Sequence, residues 1–292
     1  MAAAGSQESL GGNEGARAIG ALLLANALLA FGPVLVRLSD VGPVAAGFWR
    51  MALAFPILAG AAVWTGRGKS SGFTPGLSLI IAASGLLFAA DLASWHLGIM
   101  MTKAANATLL GNSASLLFPI YGFIVARAWP TQRQGFALAL AALGAVVLMG
   151  RSAELSHEHL VGDLLSLLAG VFYAIYFIAI AKARATMAPL PLLAASTLTC
   201  AIPLLLLALV MGETILPHNW WPLIALSFFS QIAGQGLMTR ALGKVSPLVI
   251  GLTLLCQPAI AALGGYMLFG ETLGALDLVG MVMIAIALVM VR

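Results

Sequence analysis

The sequence predicts an all-α integral membrane protein of ten transmembrane helices, arranged as two five-helix repeats of inverted topology. Three observations predict it. Of the 292 residues, 61% are hydrophobic and only 8% are charged, against roughly 25% charged in a soluble domain. Apolar runs of about 20 residues, the length that crosses roughly 30 Å of hydrocarbon, recur along the whole chain. Lysine and arginine collect in alternate connections between those runs.

The runs are 18–38, 43–64, 75–99, 104–126, 132–150, 161–181, 190–211, 219–239, 246–269 and 273–291. Backbone polar groups inside hydrocarbon must be satisfied within the segment, so each run is expected to be a helix. Residues 1–16 are rich in Ala, Gly and Ser and lack the basic start and cleavage site of a signal peptide. They read as a flexible cytoplasmic tail, with the first span as an uncleaved anchor.

Orientation follows from the rule that basic connections stay in the cytoplasm. With the N-terminus inside, the inner side holds Arg17, Arg67, Lys69, Arg127, Arg133, Lys182, Arg184, Arg240, Lys244 and Arg292. The outer side holds Arg37, Lys103 and Arg151, and Arg50 lies within a span. Acids gather outside instead: Asp40, Glu154, Glu158, Asp163, Glu213, Glu271 and Asp277. This sorting requires an even number of spans, which places both termini in the cytoplasm.

Ten spans divide into 17–150 and 161–292, joined by a periplasmic linker at 151–160. A five-span unit repeated in tandem enters the membrane from opposite sides, and such inverted repeats hold a substrate site near the midplane where the halves meet. Internal similarity is loose: Ala30-Phe31-Gly32-Pro33-Val34 in the first span against Val171 to Tyr176 in the sixth. Small pairs at four-residue spacing, Gly135/Ala139, Ala141/Ala145 and Ala261/Gly265, suit close helix packing.

Four stretches carry a family resemblance. They are Phe48-Trp49-Arg50-Met51-Ala52-Leu53-Ala54; Thr102 through Asn112; Gln257-Pro258 followed by Gly270-Glu271-Thr272-Leu273; and the Gly-rich last span around Gly280. In this order, over almost the whole chain, they resemble the EamA-type members of the drug/metabolite transporter superfamily. Asp91-Leu92-Ala93-Ser94-Trp95-His96, together with 106–112, is similar to amino-acid exporters of the YddG type. The resemblance implies a secondary, ATP-independent transporter that moves amino acids, aromatic and other neutral ones, outward by alternating access. Another small metabolite or drug is the alternative cargo. The first half departs from the family pattern: Ala126 stands at the position of its glutamate, and Pro119 stands near where a proline is expected at 113–114.

Polar groups inside hydrocarbon are costly, so they face a cavity or a partner. Arg50 and Asp91 are placed at similar depth on neighbouring spans, which suggests an intramembrane ion pair. Such a pair either fixes two helices together or offers Asp91 to an amino group or a proton. Trp95 and His96 follow one turn later and either anchor at the interface or line the outer mouth. Asn26, Thr108 and Asn112, with Asn106 near a helix end, are uncharged polar residues that either join helices or bind a zwitterion. Tyr173 and Tyr176 are three apart on one span, with Ser230, Gln231 and Gln235 on another and Thr253 and Gln257 on a third. At helical spacing each set forms a stripe, so the three suggest one polar-lined cavity, interhelical contacts being the alternative. Pro33, Pro119, Pro203 and Pro258 are candidate hinges, because proline removes a helical hydrogen bond.

Other classes find little support. Gly66-Arg67-Gly68-Lys69-Ser70 mimics the end of a phosphate-binding loop, but Val63 occupies the position that needs glycine. His157 and His159 have no further ligands beside them, so no metal is expected. No nucleophile elbow or zinc-protease motif occurs, so the chain is not expected to be an enzyme or to need a cofactor. Cys200 and Cys256 sit in apolar runs as small packing residues. A net charge of +4 gives no case for nucleic acid. The expected partners are the lipid bilayer and a small-molecule substrate, with the protein a monomer or a weak homodimer.

Overall fold

The computed structural model describes residues 12–66, 74–102, 104–150, 157–242, 244–260, 263 and 274–291. Residues 1–11 of the expected tail, 67–70 of the phosphate-loop mimic, 151–156 of the linker, Lys103 and the family motif at 270–273 lie outside the described residues, as does the side chain of Asn106. The described residues form helices and no strand.

The helices are α1 (Gly12–Ala30), α2 (Gly32–Leu38), α3 (Pro43–Thr65), α4 (Pro75–Met101), α5 (Ala104–Gly111), α6 (Ala114–Ala126) and α7 (Gln132–Gly150). Next come α8 (Leu160–Arg184), α9 (Pro189–Val210), α10 (Trp221–Leu226), a π-helical stretch (Ser227–Gln235), α11 (Gly236–Ala241), α12 (Pro247–Leu254) and α13 (Ala275–Met290). Among the described residues, six stretches are long and apolar enough to cross a membrane: Gly15–Leu38, Pro43–Thr65, Pro75–Met101, Ala107–Ala126, Leu160–Arg184 and Pro189–Val210. Gln132–Val147, Pro247–Ile260 and Ala275–Met290 are shorter apolar helices.

Helix starts follow local chemistry. Pro43, Pro75, Pro189 and Pro247 each stand at the first helical position behind an extended residue, where the missing N–H costs nothing and the fixed φ suits the helix. Thr74 and Ser246 add side-chain caps to Leu77 N and Val249 N. The helix α3 lacks a cap of its own. Its first-turn N–H groups of Val44 and Ala45 donate to the Glu213 carboxylate at 3.2 and 2.7 Å. Glu213 reaches them because Gly212, at φ 67°, turns the chain sharply after α9. The Gly42 Cα lies so close to this carboxylate that a Cβ there would overlap it.

Four spans expected to be regular and continuous are interrupted or distorted. The first breaks at Phe31, just before Pro33, and the fourth breaks at Asn112 and Ser113. The eighth widens into a π-helix over Ser227–Gln235; Gly234 gives the room, since a Cβ there would meet both Phe229 O and Leu29. The ninth loosens at Leu255 before Pro258, which cannot donate back to Leu254. Pro119 and Pro203 lie inside α6 and α9 without ending them.

Packing joins the N-terminal half to the C-terminal half. The pairs α3/α9 and α6/α12 each run antiparallel, and α7 packs against α13. Glu213, past the end of α9, meets the start of α3, while Leu58 packs with Leu193 at the other end. Gly251 lies against Ser115 and Pro119, and Pro247 against Gly122. Gly144 lies against Gly280 and Ile284, alongside Ala141 and Ala145. Between α4 and α8 the backbones close in at Gly98 and Gly162, the latter against Met101 and Thr102. The main core, including Phe88, Phe118, Tyr176, Phe177 and Ile180, draws on α1, α3, α4, α6, α8, α9, α11 and α12.

Candidate substrate cavity

Helix spacing on α4 sets one wall of a central cavity. Phe88, Asp91, Leu92 and Trp95 recur at three- and four-residue intervals, which puts them on one face, and all four line a cleft. Arg50 enters from α3, Leu29 from α1, Thr108, Gly111 and Asn112 from the fourth span, Tyr173 from α8, Gln235 from the π-helical stretch and Gln257 from beyond α12. The interruption at Asn112 thus borders the cavity, and those at Phe31 and Leu255 lie two residues from Leu29 and Gln257, which also line it. Trp95 fits between two glycines: a Cβ at Gly111 would approach its indole Nε1 to 2.9 Å, and one at Gly32 would touch its ring at 3.5 Å.

The cavity holds two charges. Arg50 is 3% exposed and Asp91 8% exposed. The Arg50 guanidinium lies over the Phe88 ring, 5.6 Å from its centroid, a cation–π contact, and its Nε has no hydrogen-bond partner among the described residues. The direct ion pair suggested by the neighbouring spans is not closed here. The guanidinium takes the aromatic face instead, and both charges face a shared space. Every other residue lining the cleft, among those described, is uncharged.

Seven of the expected pathway residues line the cleft: Asp91, Trp95, Thr108, Asn112, Tyr173, Gln235 and Gln257. Gln235 Nε2 donates to the Tyr173 hydroxyl at 2.7 Å, joining two of the expected stripes. Asn26 stands directly behind the wall, accepting from Gln257 Nε2 at 2.8 Å and donating to Leu22 O.

The other five point elsewhere. His96, about 100° round α4 from Trp95, sits with a ring nitrogen 2.8 Å from Pro43 O at the start of α3. Tyr176 is fully buried and stacks on Phe88 at 4.4 Å. Gln231 donates to Thr197 on α9 at 2.9 Å. Thr253 donates to Ile250 O, and Ser230 is buried facing Gly32. Each polar stripe is therefore split, one member in the cleft and its neighbour serving helix contacts. Sequence reasoning missed Leu29, Phe88, Leu92 and Gly111. Phe88 and Leu92 could have been found by their helical spacing from Asp91.

Apolar helices packed around a polar cleft with buried charges define a multi-pass membrane protein built to handle a small solute. The chain belongs to the EamA-like transporter family, whose model matches twice, at residues 16–150 and 160–292. It is 28% identical to an uncharacterized transporter of Archaeoglobus fulgidus over 144 residues, 48% of either chain. It is 30% identical to the threonine/homoserine exporter RhtA of Escherichia coli K12 over 143 residues, 49% of this chain and 48% of that one. The chain thus spans about half the length of the curated relatives it matches. A solved crystal structure at 16% identity shares the fold with a TM-score of 0.77, over 94% of this chain and 96% of the other.

Proposed function

We propose that this chain is a secondary transporter that exports amino acids, aromatic and other neutral ones, across the bacterial inner membrane by alternating access. One observation carries the reading: a polar cleft with buried charges lies between the two family repeats and takes side chains from both, Arg50, Asp91 and Asn112 from the first and Tyr173, Gln235 and Gln257 from the second. The name of the relative RhtA, a threonine/homoserine exporter, supports amino acids as the cargo.

Ten helices are proposed to cross the membrane: α1 with α2, α3, α4, α5 with α6, α7, α8, α9, α10 through α11, α12 with its continuation, and α13. They fall into repeats at 17–150 and 161–292, with a tail at 1–16, a periplasmic linker at 151–160 and both termini cytoplasmic. The antiparallel pairing of α3 with α9 and of α6 with α12, with α7 packed against α13, supports the inversion. In each pair one helix holds the place in its half that its partner holds in the other, and a two-fold axis lying in the membrane plane relates such helices head to tail. Rocking of one half against the other would then present the same cleft to either side. The protein works as a monomer or weak homodimer without a cofactor.

The test is counterflow in liposomes carrying the purified protein, with labelled threonine or phenylalanine and no ATP. Uptake well above that of empty liposomes, competed by unlabelled amino acids, is the expected result. Flux equal to empty liposomes for every amino acid tried would overturn the proposal.

A further inference from the structure

We infer that the cleft recognises its substrate as a zwitterion, with Arg50 taking the α-carboxylate and Asp91 the α-ammonium, the two charges being bridged by the substrate and not by each other. The inference rests on the transport reading above and adds to it which residue meets which end of the cargo, and which cargoes are refused.

A charge buried in the membrane interior is costly unless it is paired and hydrogen-bonded. This cleft contains one of each sign, both more than nine-tenths buried, and no ion pair closes between them among the described residues. The Phe88 ring covers one face of the guanidinium and leaves its edge, where the N–H donors lie. That edge suits a carboxylate, which arginine grips with two parallel bonds. Asp91 is three residues from Phe88 on the same face of α4, so both charges border the same ring and the same open space. A molecule with a carboxylate and an ammonium on one carbon fits between them and satisfies both. Either group alone leaves one buried charge without its counterpart.

The rest of the lining fixes what the side chain can be. Thr108, Asn112, Gln235 and Gln257 offer uncharged polar contacts, and Leu92 and Trp95 offer apolar ones. With both fixed charges engaged by the backbone ends of the amino acid, a lysine or glutamate side chain would enter without a counter-ion. Neutral side chains, hydroxylated or apolar, are accepted and charged ones refused.

The experiment is competition for labelled threonine binding to the purified full chain in detergent, alongside counterflow in liposomes. The competitors are threonine, threoninamide (no carboxylate) and N-acetylthreonine (no ammonium). On the wild type, either modification should weaken competition by about 30-fold or more, the consequence of stranding one buried charge. In Arg50→Gln, threonine should lose its advantage over threoninamide while N-acetylthreonine stays poor. In Asp91→Asn, threonine should lose its advantage over N-acetylthreonine while threoninamide stays poor.

Equal competition by all three compounds on the wild type, with threonine counterflow intact, would overturn the zwitterion inference and leave the transport reading standing. Unchanged discrimination in well-folded variants would also overturn it and assign the pair to helix packing. Absence of both binding and flux for every amino acid would remove the transport reading itself. Should either variant fail to fold, the wild-type competitor panel still decides.

Discussion

Gln257 Nε2 donates to Asn26 Oδ1 across 2.8 Å, tying the helical continuation beyond α12 to α1 immediately behind the cleft wall. Because Gln257 also lines the cleft, this bond sets where its amide stands. Interhelical bonds of this kind in membrane proteins contribute about 0.6 kcal/mol on average and up to about 1.7. A double-mutant cycle with Asn26→Leu and Gln257→Leu, read by thermal unfolding in detergent, should return a coupling energy in that range. A coupling of zero would mean that the two amides act independently.

Gly251 is where α12 meets α6 most closely. A Cβ there would overlap the Pro119 ring and the Ser115 carbonyl oxygen, and neither can turn aside as a flexible side chain could. Gly251→Ala should destabilise the protein by about 1–3 kcal/mol, the usual cost of overpacking, and Gly251→Val by more. Thermal unfolding of the purified variants checks this, with Gly60→Ala as control, because a Cβ at Gly60 meets nothing within 4 Å.

Glu213 caps a helix from a distant part of the chain. Its carboxylate accepts from Val44 N and Ala45 N, where an anion also meets the positive end of the α3 dipole. Glu213→Ala should cost about 1–2 kcal/mol. Glu213→Gln, which keeps an acceptor but loses the charge, should cost less. A melting series on the two variants tests the order.

Asp40 supplies a second tie in the same region, its Oδ2 accepting from His218 N at 2.7 Å and Asn219 N at 3.0 Å. Desolvation works to raise its pKa, but these backbone bonds, with its own N–H, outweigh it and hold the carboxyl below the usual 3.8. A group whose folded value is depressed stabilises above its unfolded pKa and loses that contribution as pH falls through the folded value. Melting temperature should therefore fall on acidification below about pH 4, and Asp40→Asn should flatten that part of the profile.

The sequence made the helices legible because apolar length and loop charge are local signals. Pro43, Pro75, Pro189 and Pro247 mark true helix starts, and Gly42 and Gly66 mark boundaries. The breaks at Phe31, Asn112 and Leu255 were not legible. Two of them have a proline two or three residues on, but Pro203 and Pro119 look the same in sequence and interrupt nothing. What differs is the tertiary setting, such as the Trp95 indole between Gly32 and Gly111. The same limit applies to the cleft. Asp91, Trp95 and Gln257 were found because polar or aromatic residues in hydrocarbon stand out. Gln231 and His96 stand out equally, yet Thr197 and Pro43 O engage them elsewhere. Helical spacing gives a residue's face, but which neighbour that face meets is decided by chain segments 34 to 231 residues away.

The opposed signs of Arg50 and Asp91 carry an electrical consequence. Carrying one elementary charge through a membrane potential costs or yields about 2.3 kcal/mol per 100 mV. A cleft whose fixed charges sum to zero, filled by a solute that also sums to zero, reorients with no such term whether loaded or empty. Under the proposed alternating access, voltage then neither drives nor resists the cycle, and the solute gradient alone sets the direction of net flow unless a separate ion accompanies it.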